Sequence, residues 1–84
     1  MSEPDISLAV GQELRRIRVE GDIRTRPLAA TLRIGPSSLS AYEAGRRPIT
    51  VQRLYEMCRA LDVDPCEVLR VAIANAEQEG RAND

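Results

Sequence analysis

The sequence predicts an all-α fold, a compact bundle of five short helices, and three observations carry that expectation. Apolar residues recur at helical spacing in five separate stretches. Start and stop residues bound those stretches, and none of them reads as a strand, a repeat or a low-complexity linker. Of the 84 residues 43% are hydrophobic, but there is no Phe or Trp and there are only two Tyr, so the core is aliphatic. A chain of this length holds one core and therefore one domain, residues 1–84.

The first helix covers about residues 7 to 19, where Val10, Leu14 and Ile17 repeat at i, i+4, i+7 with Leu8 close by, and Gly21 ends it. Thr25 begins a second, shorter helix. Pro27 is tolerated in its first turn, Leu28, Ala29 and Leu32 supply its apolar face, and it stops near Arg33. Gly35 and Pro36 start the third helix, because a proline at the first helical position gives up only an amide that has no intrahelical partner. Gly45 stops it after Ala44. Thr50 is the N-cap of a fourth helix carrying Val51, Leu54, Met57, Cys58 and Leu61. Asp64, Pro65 and Glu67 open the fifth, with Asp64 and Glu67 at capping-box separation and Val68, Leu69, Ala72, Ile73 and Ala76 carrying it to about residue 78. The last stretch, EQEGRAND, reads as a frayed polar tail.

Composition removes several function classes. There is no His, and two cysteines are too few for a disulfide framework or a zinc site, so neither metal nor cofactor is expected. No glycine-rich phosphate loop or catalytic dyad suggests an enzyme. No apolar run approaches the roughly 20 residues of a membrane span, and MSEPDISLAVGQEL lacks the basic and long apolar regions of a signal peptide, so a cytoplasmic location is expected. All twelve basic residues are Arg, and with a net charge of −1 any anion-binding surface must be local. Acidic residues gather toward both ends, from Glu3 to Asp22 and from Asp62 to Asp84, which leaves one basic face between them.

Five short helices, the second and third separated by about three residues, form the layout of a helix-turn-helix domain. The segments VGQELRRIR, LAATL, SSLSAYEAGRR and TVQRLYEMCRALDVDPCEVL resemble the Cro and repressor class (XRE type) of phage and bacterial helix-turn-helix proteins. The likeness covers about residues 8 to 70 and runs from the first helix through Gly45 without a gap, leaving 71 to 84 as an extension. The TVQRL segment is also similar to the DNA-binding domains of actinobacterial developmental regulators.

This resemblance implies a lambda-repressor-like fold, double-stranded DNA as the partner, a homodimer and transcription regulation, with repression expected because a chain this short has little surface left for engaging polymerase. It also implies a buried ion pair between Arg18 and Glu43 that fastens the third helix to the scaffold. Spacing is compatible with that role, since Arg18 follows Ile17 on the inward edge of its helix and Glu43 lies four residues after Leu39. Glu43 is therefore read as structural and not as a catalytic acid.

By the same resemblance the third helix, about residues 36 to 44, enters the major groove and presents Pro36, Ser37, Ser38 and Ala41 to base edges, with Ser40 and Ala44 on the same side. Family members often carry Gln, Asn or Arg there, side chains that bond two base atoms at once; this chain has none. Arginine surrounds the helix instead: Arg24 and Arg26 at the start of the second helix, Arg33 in the turn, Arg46 and Arg47 after the third, Arg53 in the fourth. The implied phosphate contacts are Arg24, Thr25, Arg26, Arg46 and Arg47, with Thr25 standing where the family usually has Gln. Arg33 stands where the family's turn has Gly, and Gly35–Pro36 raises the expectation of a remodelled turn. Leu69, Ala72, Ile73 and Ala76 form a stripe that suits either a dimer interface or packing against the first helix. The rival reading is an antitoxin-like or adaptor protein whose principal partner is a toxin, an antirepressor or another regulator.

Overall fold

A computed structural model describes residues 3–82 and consists of five helices with, among these residues, no strand: α1 (Ile6–Glu20), α2 (Thr25–Leu32), α3 (Pro36–Glu43), α4 (Val51–Leu61) and α5 (Pro65–Ala82). Three of the helices begin on a side-chain cap. Asp5 accepts the Leu8 amide at 3.0 Å, Thr50 Oγ1 accepts the Arg53 amide at 3.0 Å, and Asp64 Oδ1 accepts the Cys66 amide at 2.9 Å. Only half of the predicted capping box forms, because Glu67 turns along the helix to Arg70, at 2.5 Å, and not back toward Asp64. The predicted frayed tail, residues 77–84, is corrected as far as residue 82, and residues 83–84 lie outside the described residues. α5 continues to Ala82, since Ala, Glu, Gln and Arg favour the helix and a lone Gly80 costs only about 1 kcal/mol.

Four helix ends share one device, a residue in the left-handed region whose neighbours cap the last carbonyls: Asp22, Arg33, Gly45 and Asp62. Arg33 takes φ 59° and ψ 40°, its amide donating to the Ala30 carbonyl and the Ile34 amide to that of Ala29. The turn between α2 and α3 is thus not remodelled by Gly35–Pro36. It keeps the backbone a glycine would adopt freely and bears the strain, on the order of 1 kcal/mol, at Arg33.

The core is aliphatic, with Leu14, Leu39, Met57 and Cys58 fully enclosed. Burial, and secondarily the charge of Asp64, pushes the Cys58 thiol up to about 11, so it packs as an apolar group. α1 is the spine: it packs along α5 and against α3 and α4, while α2 rests on α3 and α4. Ala72 and Ala76 are buried in this core, small enough to let α5 lie close to its neighbours. Of the stripe considered for a dimer interface they are therefore interior residues, and only Leu69 and Ile73, each half-buried, keep surface of their own.

Gly11, in the middle of α1, is buried under the last turn of α3. A Cβ there would collide with the Tyr42 carbonyl oxygen and lie 3.0 Å from that of Glu43. Gly11→Ala gains about 1 kcal/mol of helix propensity but must push the end of α3 away, and the expected net result is a loss of about 1–3 kcal/mol. Urea denaturation of the variant measures it.

Candidate nucleic-acid interface

The end of α3 is anchored by Arg18. Its Nε donates to Glu43 Oε2 at 2.8 Å, its Nη2 to Oε1 at 3.0 Å, and its Nη1 to the Ile23 carbonyl at 2.8 Å. Arg18 is 9% exposed and Glu43 5%, so this is a two-pronged pair closed off from water. Hydrogen bonding to Glu43 raises the Arg18 pKa above its ordinary value despite burial. The guanidinium thereby ties α3, α1 and the loop entering α2 into one unit, and the Glu43 carboxylate is committed to it. Three bonds donated by one guanidinium, two of them to Glu43, leave the end of α3 little freedom to tilt.

That anchoring holds the opposite face of α3 outward. Pro36, Ser37, Ser40 and Ala44 are exposed, while Ser38 and Ala41 are half-buried. The helices facing this side differ from the rest at their starts: α2 begins at Arg24 and α3 at Gly35, neither with a side-chain cap. Their first amides therefore lack the internal acceptors that α1, α4 and α5 have, which suits them to anionic oxygens. Arg24 and Arg26 are exposed at the start of α2, with Thr25 half-buried between them. Arg46 and Arg47 are exposed just past α3, their amides donating to the Ala41 carbonyl.

Ion pairing separates these arginines from the others. Among the described residues Arg16 pairs with Glu13 and Glu20, Arg18 with Glu43, Arg53 with Glu56, and Arg70 with Glu67. Arg24, Arg26, Arg33, Arg46 and Arg47 have no carboxylate partner among those residues, and neither do Arg15 and Arg59. The arginines at the start of α2, in the turn and just past α3 are thus among those left available to an outside anion.

Two features of this face escaped the sequence. Gln12 and Arg15 of α1 join Thr25, Ser40 and Arg46 around an open cleft of about 500 Å³, floored by the Arg18–Glu43 pair. Helical phase offered a signal, since Arg15 lies one turn before Arg18 on α1. Tyr42, the other, is buried to 5% exposure and has the Arg47 and Arg53 guanidiniums against its ring, at 5.1 and 5.4 Å from the centroid. A tyrosine at an inward helical position gives no hint of such partners.

Comparison with known proteins accords with this geometry. A helix-turn-helix family model matches residues 14–68. No curated protein matches significantly. Among solved structures, two of the clp gene regulator ClgR from Corynebacterium glutamicum are similar. One is 33% identical over 87% of this chain and 95% of its own, with a TM-score of 0.82. The other is 30% identical over 99% and 88%, with a TM-score of 0.91. The restriction-modification controller protein C.AhdI from Aeromonas hydrophila is 26% identical over 73% of this chain and 92% of its own, with a TM-score of 0.67.

Proposed function

The chain belongs to the XRE-type helix-turn-helix family of DNA-binding transcription regulators, and from that premise we propose a sequence-specific repressor that binds duplex DNA as a homodimer. In this reading α3 enters the major groove and Arg24, Thr25, Arg26, Arg46 and Arg47 grip phosphates on either side. One observation carries it: five of the seven described arginines without carboxylate partners, Arg24, Arg26, Arg33, Arg46 and Arg47, flank the two helices whose N-termini lack side-chain caps. Phosphates complete both kinds of group at once.

Ser37, Ser38 and Ser40 can donate to or accept from several bases, and Pro36 or Ala41 can touch a thymine methyl group, so direct readout is modest. Much of the sequence preference then comes from DNA shape. Repression needs nothing beyond occupancy of an operator by this face. Selection from a random duplex pool tests the reading: the enriched site should be two related half-sites about 34 Å apart, and Ser37→Gln or Ala41→Gln should change the favoured bases. Pools that never enrich, with scrambled DNA competing equally, would reject specific binding and favour a protein partner for this chain.

Dimer formation through Leu69 and Ile73 of α5 is the second part of the proposal. Sedimentation of wild type and Ile73→Glu tests it, the expectation being a folded monomer for the variant. A wild type that stays monomeric at high micromolar concentration, free and on DNA, would remove the dimer.

A further inference from the structure

Tyr42 belongs to α3, Arg47 to the loop after it and Arg53 to the first turns of α4, yet the three side chains meet. The tyrosine ring is buried at 5% exposure, fixed by the core beneath it, while both guanidiniums lie within 5.4 Å of its centroid. Arg53 is further held by Glu56, whose Oε1 accepts from Nη1 at 3.0 Å. That bond occupies one of five guanidinium donors and leaves the rest for another acceptor. Arg47 has no carboxylate partner among the described residues. Arg24 and Arg26, at the start of α2, have no aromatic partner among those residues.

We infer that Tyr42 is a positioning residue for DNA binding, its buried ring holding Arg47 and Arg53 in place for the phosphates beside the C-terminal end of α3. The inference rests on the DNA-binding reading above and adds Arg53 to the phosphate grip. The physical ground is preorganisation. A long arginine side chain that must be immobilised on binding weakens affinity by roughly two- to tenfold, and a ring that orders it beforehand removes part of that loss. Cation–π attraction depends on the ring and not on the phenolic hydroxyl, so Phe should substitute and Leu should not.

Fluorescence anisotropy with a labelled duplex, at one fixed salt concentration, separates the possibilities. Tyr42→Phe should bind within about twofold of wild type and Tyr42→Leu roughly five- to tenfold more weakly. In an Arg47→Ala, Arg53→Ala background, Tyr42→Leu should add no further loss. An equal loss in both backgrounds would show a merely structural ring and overturn the inference, as would a Tyr42→Leu variant that binds like wild type. A wild type that binds no duplex at low salt would overturn the DNA reading along with it. Should Tyr42→Leu melt below the assay temperature, side-chain NMR on the unaltered protein decides: the Nε–H vectors of Arg47 and Arg53 should be more ordered than those of Arg24 and Arg26, and equal mobility would refute the role.

Discussion

Arg18→Ala is expected to destabilise the fold by about 3–5 kcal/mol, and Glu43→Ala by a similar amount, because each leaves a buried charge without its partner. Arg18→Ala also orphans the Ile23 carbonyl that the guanidinium now satisfies at 2.8 Å. Against a total stability on the order of 5–15 kcal/mol for a small domain, either loss is a large fraction. Replacing both residues by apolar ones, Arg18→Met with Glu43→Leu, should recover most of it, since the cost lies in isolating a charge and not in removing the pair. The solvent-exposed Glu67–Arg70 pair is the internal control, and breaking it should have little effect. Urea denaturation of the set reads all of these, and losses below about 1 kcal/mol for the single variants would mean that Arg18 and Glu43 do not fasten α3.

The second large effect is on DNA. Each phosphate neutralised contributes about −0.9 to the slope of log K against log salt. A dimer using Arg24, Arg26, Arg46 and Arg47 on each half-site reaches the range in which affinity falls on the order of 10³–10⁵-fold between about 50 and 200 mM salt. Each Arg→Ala change should flatten the slope in proportion to the phosphates it releases, whereas Ser37 or Ala41 variants should leave the slope alone and alter sequence preference. Anisotropy titrations over a salt series measure it. A flat salt dependence, or slopes that the arginine variants do not change, would remove those residues from the phosphate grip.

Helix starts were legible because local chemistry decides them: Pro36, Thr50 and Asp64 stand where α3, α4 and α5 begin. The end of α5 was harder to read, since polar composition suggests fraying while the same Ala, Glu and Gln residues favour continuing the helix. The stripe from Leu69 to Ala76 was ambiguous for a physical reason. Apolar residues at i, i+3, i+4, i+7 look the same whether another helix of the chain or a second copy covers them, and here Ala72 and Ala76 are covered from within. The site divides in the same way. Charge around α3 could be counted along the chain, but which arginines stay unpaired depends on where Glu13, Glu43, Glu56 and Glu67 come to rest. Gly11 and Tyr42 act through close approaches between α1, α3 and α4, and no local pattern encodes those.

The central claim is that α3 and its arginine frame form the surface that meets duplex DNA. Its most direct measurement is an NMR titration of isotopically labelled protein with the selected duplex, following amide and arginine side-chain signals. The account predicts that the largest shifts fall on residues 24–26, 36–41 and 46–47, with intermolecular contacts from Ser37, Ser38 or Ala41 to major-groove protons, while the α5 amides change little apart from any dimer contact. Shifts concentrated on α5, or on the exposed side of α4 around Tyr55, with α3 unchanged, would contradict it.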